Sequence, residues 1–201
     1  MSPAKLRQSH LRQRIAAAAA RIMAEDGIDD FAMAKRKAAR QLGAEDSQSL
    51  PGNDEIEEQL RAYHALYRGE EQPAELQQLR EHALAVMQLL KDFRPYLIGP
   101  VLKGTAGRYS DVDLQLFTDD EKAVDLLLLN RSIPYAVAQQ RRYAGEKSRA
   151  ASVLRLEWKG TTVNAAIYPA NDERNTLRSS PTGRPIERAG LQAVAQLIEQ
   201  V

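Results

Sequence analysis

Asp111 and Asp113 stand one residue apart at the head of an apolar run, inside the stretch Gly99–Phe117, GPVLKGTAGRYSDVDLQLF. In an extended chain, residues i and i+2 project from the same face. The two carboxylates therefore lie side by side, while Val112, Leu114 and Leu116 serve the opposite face. Such a pair repels itself, and a shared proton or a bound divalent cation relieves the repulsion. The spacing thus predicts a metal site. Just upstream, the turn Lys103–Gly107 contains Gly104 and Gly107. Glycine lacks a Cβ, so such a turn lets backbone N–H groups approach an anion closely. It equally serves a plain turn that needs positive φ. Lys103 and Arg108 add positive charge, as phosphate partners or as ordinary exposed cations.

These residues need a sheet to hold them, and the chain supplies one late. Residues 4–26 read as a helix, with Leu11, Ile15, Ala18 and Ile22 at helical spacing and Gly27 as its stop. A second helix is expected over 30–42, ending at Gly43, and a loop over 44–53. A third starts near Asp54, with Asp54 and Glu57 at capping-box spacing. It carries the stripe Ile56, Leu60, Tyr63 and Tyr67 and ends at Gly69. Pro73 opens a fourth, which runs to about Phe93 and is closed by Pro95.

The pattern then changes. Tyr96–Leu102 reads as a strand, Lys103–Tyr109 as a turn and Asp111–Phe117 as a second strand. Thr118 and Glu121 predict a capping box for a helix over 119–130. Pro134–Tyr143 reads as a polar strand. Ala151–Trp158 and Thr161–Tyr168 form a hairpin about Lys159-Gly160. Residues 169–185 read as a polar loop, and a last helix carries Leu191, Val194 and Ile198. Helices segregated before hairpin-linked strands predict an α+β protein. The expected division is a helical domain over 1–93 and a sheet-based domain over 94–201.

Composition narrows the partners. The 201 residues are 43% hydrophobic and 27% charged with a net charge of +1, which suits an ordinary soluble protein. Neither nucleic acid nor a membrane is advertised by the whole-chain charge. Cysteine is absent, which excludes disulfides, thiolate metal sites and a cysteine nucleophile. The basic start followed by an Ala-rich segment carrying Arg14 and Arg21 makes a poor signal peptide, and no run has the length of a membrane span. A cytoplasmic protein is expected.

The run Gly99, Gly104-Thr105-Ala106 and Ser110-Asp111-Val112-Asp113-Leu114 resembles the loop and strand of the nucleotidyltransferase superfamily, the DNA polymerase β-like fold, and most of all its small bacterial members. The likeness covers roughly residues 83–170. It implies a mixed sheet with flanking helices. It also implies transfer of a nucleoside monophosphate from a nucleoside triphosphate to an acceptor, which the sequence leaves unknown. By the resemblance, Asp111 and Asp113 are catalytic residues that hold one Mg²⁺ (or Mn²⁺), or two ions about 4 Å apart. Gly99, Lys103, Gly104, Thr105 and Ser110 would face the nucleotide. Pro100 stands where the family has a serine and donates neither N–H nor hydroxyl. The family's third carboxylate falls by register on Asn164, an amide able to ligate but not to act as a base, with Glu157 as the substitute. A second reading is therefore a catalytically impaired binding or regulatory module on the same fold.

Other candidates carry blander readings. His10, His64 and His82 fall on expected helices without carboxylates at ligand spacing. Glu157 reads as a surface partner of Arg155 or Lys159. Trp158 and Tyr168 read as core or rim, and Arg184 and Arg188 as part of a solvated loop before the last helix. Residues 1–43 hold nine Lys and Arg against four Asp and Glu. That balance leaves a DNA-binding regulator open as a less favoured reading, since a helix-turn-helix needs a shorter turn than 44–53.

Overall fold

The computed structural model of the chain describes residues 3–28, 30–44, 50–69, 71–144, 147–175, 177–178 and 185–199. The fold is α+β. Two compact units are present, Met1–Ala74 with Thr105–Ser110, and Glu75–Gly104 with Asp111–Val201. Residues 75–93, grouped by composition with the helical half, thus pack with the sheet.

The first unit is built on α1 (Pro3–Asp26), α2 (Phe31–Gln41) and α3 (Asn53–Tyr67). Its core joins Ile15, Ile22 and Met23 of α1 to Ala34, Ala38 and Ala39 of α2 and to Ile56 and Leu60 of α3. The many alanines leave little side chain between helix axes, so the helices can approach closely. Asp30 caps α2 by accepting from the Met33 N–H at 2.9 Å. The capping box expected at Asp54 and Glu57 lies two residues earlier. Gly52 is the cap residue, in extended conformation, and Glu55 accepts from its N–H at 2.6 Å. Glu55 also takes Arg12, with Nε 2.9 Å from Oε1. That guanidinium holds the Glu55 carboxyl below its usual range, while its own pKa is raised by the same bond. Lys37 pairs with Asp26 at 2.7 Å and Lys35 donates to Asn53 at 2.6 Å. Several of the N-terminal cations are therefore engaged inside the unit. Of the expected loop over 44–53, residues 45–49 lie outside the described residues.

The fourth helix, α4 (Glu71–Leu89), starts before Pro73 rather than at it and is followed by a 3₁₀ turn, Lys91–Phe93. β1 is Tyr96–Ile98 and no longer. The strand expected to Leu102 stops because Gly99, at φ +74, turns the chain into a short helix, α5 (Gly99–Lys103). Pro100 fits the first turn of a helix, where its missing N–H has no partner to lose. Gly104, left-handed at φ +77, ends it. Then come β2 (Val112–Phe117), α6 (Glu121–Asn130), β3 (Tyr135–Ala144), β4 (Lys147–Trp158) and β5 (Thr161–Tyr168). The capping box predicted at Thr118 and Glu121 is not formed. Asp120 caps α6, accepting from the Ala123 N–H at 3.0 Å, and Glu121 instead accepts from the Ser152 hydroxyl. The Lys159-Gly160 hairpin has both residues at positive φ, 51° and 81°, as a type I′ turn requires. The polar segment after Tyr168 contains a 3₁₀ turn, Ala170–Arg174, and β6 (Leu177–Arg178). β7 (Ala189–Gly190) leads into α7 (Leu191–Glu199).

Among the described residues, seven strands form one mixed sheet in the order β6-β3-β4-β5-β2-β1-β7. β2 and β5 run parallel and the other pairs antiparallel. One face carries Leu97, Val112, Leu114, Leu116, Leu154, Leu156, Val163, Ala165 and Ile167, all buried, and Val86, Met87, Val124, Leu128 and Val194 of the unit's helices are buried with them. The other face holds a smaller cluster around Phe117, Ala151, Val153, Ala166, Tyr168 and Leu177. No helix among the described residues is long and apolar enough to cross a membrane.

Candidate functional site

The site grows from one row of residues across four strands on that second face. Asp113 pairs in register with Ile98 of β1 and with Asn164 of β5. Asn164 in turn pairs with Arg155 of β4. Asp111, the residue before β2, precedes Asp113 by two and sits on the same side. The parallel β2–β5 register is what aligns Asn164 with Asp113, although 51 positions separate them.

The side chains converge. Asn164 Nδ2 donates to Asp111 Oδ2 at 3.1 Å and to Asp113 Oδ1 at 3.2 Å. Arg155 approaches Asp111 Oδ2 at 3.6 Å, with its side chain 60% exposed and that of Asp111 31% exposed. A neutral amide and one cation thus sit against two like charges that would otherwise repel. The Arg155 contact is solvent-screened, so its net worth is about 1 kcal/mol or less.

Gly99 belongs to the same place. A Cβ built there would stand 3.0 Å from Asp113 Oδ2, and its φ of +74 is one that only glycine adopts freely. Beside Asp113 and Asn164, a half-open pocket of about 220 Å³ is floored by Ile98, Ala138, Val153 and Ala166. That is smaller than the roughly 300–1,000 Å³ that takes a whole drug-sized ligand, so it would seat only part of one. Gln115, the next residue along the face after Asp113, is 1% exposed. Its Nε2 finds no hydrogen-bond partner among the described residues.

The remaining predicted residues are placed as follows. Lys103 ends α5, and Gly104 caps it with Arg80 and Leu76 of α4 nearby. Thr105–Ser110 belongs to the first unit. There Thr105 is 4% exposed, the carbonyl of Ala106 accepts from the buried Gln72 side chain at 2.8 Å, and Ser110 Oγ accepts from the Gly107 N–H at 3.1 Å. Tyr109 packs on Gly27, within 3.1 Å of where a Cβ would be. Arg108 lies over the Tyr109 ring. Glu157 occupies the site face two residues beyond Arg155, where Thr162 donates to it at 3.3 Å. Arg155, read from sequence as a partner of Glu157, turns instead to Asp111.

Tyr168 is core, 1% exposed and stacked on Phe117. Arg188 lies over the Tyr96 and Phe117 rings and donates to the Glu173 carbonyl, while Arg184 lies outside the described residues. His82 is 2.8 Å from the Thr161 hydroxyl, and His64 is buried in α3.

Two features escaped the sequence reading, the Arg155 contact and the clearance at Gly99. Arg155 had a signal of a kind, alternation along β4 with Asn164 opposite, but only the strand register makes it readable. Chemically, two carboxylates, one amide and one guanidinium gathered on one sheet face, with Asp113 and Asn164 lining the pocket, can bind a hard cation together with an anionic ligand. No known protein family matches the chain, and no curated protein matches it at a significant level.

Proposed function

We propose that the second unit is a nucleotidyltransferase-type domain. It binds a nucleoside triphosphate with Mg²⁺ (or Mn²⁺) at Asp111 and Asp113 and transfers the nucleoside monophosphate to an acceptor hydroxyl, pyrophosphate leaving. The observation that carries this reading is the convergence of both carboxylates on one amide, Asn164, which with Asp113 lines the pocket. The donor set fits the ion. Mg²⁺ commonly takes one or two protein carboxylates and fills its other positions with water and phosphate oxygens. When bound it would neutralise the charge that develops on the phosphate oxygens.

The chain's own residues have separate tasks in this scheme. Asp111 and Asp113 hold the charge of the site. Asn164 orients both, and with its amide turned over it offers Oδ1 instead of Nδ2. Arg155, exposed and weakly held, is able to leave Asp111 for a phosphate. Gly99 keeps the Asp113 carboxylate clear of side-chain bulk. Cytoplasmic nucleoside triphosphate is the natural donor pool.

One observation favours a second reading, nucleotide binding without turnover. Asn164 cannot take the proton of an acceptor hydroxyl, and Pro100 brings no hydroxyl to the phosphates. Calorimetry with Mg²⁺ and each nucleoside triphosphate, set beside pyrophosphate release, separates the two. Asp111→Asn with Asp113→Asn is expected to abolish Mg²⁺-dependent binding while the fold persists. Unchanged binding in that double variant refutes the site.

A further inference from the structure

We propose that the outer edge of β3 pairs with the same edge of a second copy of this chain, joining two sheets into one across a two-fold axis at Val137. β4 takes the inner side of β3 along its whole length. On the outer side, among the described residues, a strand lies only at Tyr143 and Ala144, where β6 pairs. From Tyr135 to Gln139 the outward backbone groups meet no strand among those residues. Such an edge is a template for another strand.

Edges that stay single are usually guarded by charge, proline or a bulge. This one is not. Tyr135-Ala136-Val137-Ala138-Gln139 carries no charge, and it pairs with β4 residue for residue without a bulge. Ala136, Val137, Ala138 and Gln139 are all exposed, Val137 to 66%. Pro134, just before the strand, has no N–H to donate and ends a ladder there.

The helix beside the edge supplies a second observation. Val137 stands opposite Leu154, on the sheet face that α6 covers. Hydrogen bonds from Tyr135 to Asp125 and from Ser152 to Glu121 tie α6 to β3 and β4. Val124 and Leu128 of the helix are buried, while Leu126 and Leu129 are 58% and 62% exposed. Three large apolar side chains are thus left in water at one edge of the unit, more than singly scattered surface residues would give.

A second copy covers them with its own counterparts. Antiparallel pairing about an axis normal to the sheet sets Val137 opposite the partner's Val137. It also sets Ala136 opposite the partner's Ala138, and Tyr135 opposite the partner's Gln139. No like charges meet in these pairs. Each sheet face continues from one copy into the other, so both α6 helices stand on one side of the seam and flank the Val137 pair. An isologous contact needs this self-complementarity and nothing else. A lone extended peptide satisfies the backbone but brings no helix with leucines to match. On the opposite face, Ala138 lines the pocket beside Asp113, and the partner's Ala136 lengthens that row. The pairing does not rest on the nucleotidyl-transfer reading.

Sedimentation equilibrium of the full chain tests it. At up to about 100 μM, a monomer–dimer equilibrium is expected with a Kd of about 1–10 μM, since the contact lies at the small end of specific interfaces. Val137→Lys sets two cations face to face and should weaken association about tenfold or more. Leu129→Glu should also weaken it, from a different element, which keeps the test decisive if the strand variant misfolds. The lack of cysteine makes the register readable. Val137→Cys, oxidised with diamide, should yield a covalent dimer, because directly opposed Cα atoms lie about 5 Å apart. Tyr135→Cys should not, since its two copies stand about 13 Å apart along the strands and a disulfide spans at most about 7 Å. A chain that stays monomeric at about 100 μM, a dimer indifferent to both Val137→Lys and Leu129→Glu, or cross-linking through position 135 and not 137 overturns the proposal.

Discussion

Asn164→Asp sets the two functional readings against each other. The substitution keeps the shape of the side chain and exchanges an N–H donor for a carboxylate. It removes two hydrogen bonds to charged acceptors, at 3.1 Å and 3.2 Å. Each would be worth about 1.5–3 kcal/mol if buried, and about half of that here because Asp111 is 31% exposed. It also places a third negative charge within about 4 Å of two others. Each repulsion has a ceiling of about 4 kcal/mol at an effective dielectric constant of 20.

Protonation limits the damage. Neutralising one carboxyl with an ordinary pKa near 3.9 costs about 4 kcal/mol at pH 7 and about 1.5 kcal/mol at pH 5. In EDTA the variant should therefore lose about 2–4 kcal/mol at pH 7 and about half of that at pH 5. The sign follows from linkage. Repulsion raises a carboxyl pKa in the folded state, so the deficit is present above the folded pKa and fades as pH falls toward the unfolded one. Mg²⁺ should restore the loss and raise the midpoint with the logarithm of its concentration. Urea unfolding at both pH values, with EDTA and with Mg²⁺, measures all of this. A variant as stable as the wild type in EDTA and indifferent to Mg²⁺ would show that residue 164 does not face the carboxylate pair, and the site would fall with it. Pyrophosphate release by the variant then bears on chemistry. A gain over the wild type identifies Asn164 as what limits turnover.

The other expectations are simpler. Gly99→Ala places a Cβ 3.0 Å from Asp113 Oδ2 at a φ of +74. It should cost about 1–2 kcal/mol from the left-handed backbone alone and weaken Mg²⁺-nucleotide binding about tenfold; calorimetric binding at wild-type strength would separate Gly99 from the site. In the first unit, the carboxyl of Glu55 is held below its ordinary 4.5 by Arg12. Its contribution should be complete above about pH 4.5 and fade as the pH drops through the lowered folded value. With the pair 44% and 35% exposed, Glu55→Gln should cost about 1 kcal/mol at pH 7 and little at pH 3. An equal cost at both would assign the effect to the helix cap rather than to the charge.

Much of the local structure was legible from residue types. The helix ends at Gly27 and Gly43, the Lys159-Gly160 turn, the polar β3 strand and the α+β class follow from short-range rules, namely positive φ at glycine, helical periodicity and two-residue alternation. Asp111 and Asp113 share a face for the same local reason. Where two local signals competed, sequence reading chose wrongly. Tyr96–Leu102 is apolar enough for one strand, yet Gly99 with Pro100 behind it converts the second half to helix. Capping patterns at Asp54 and Thr118 were outbid by neighbours two positions away, Gly52 with Glu55 and Asp120, which met the helix ends with better geometry.

The partners of the carboxylate pair belong to the tertiary structure. Ile98, Asp113, Asn164 and Arg155 form one row only because β1 pairs antiparallel and β5 parallel with β2, and β4 antiparallel with β5. A shift of one residue in any of these registers would turn a member of the row to the opposite face. Register is set by the burial of whole strand faces, which is a property of the assembled sheet. The sequence by itself determined that two carboxylates would stand together. The fold decided that an amide would bridge them, that a guanidinium would stand beside them, and that a glycine would leave them room.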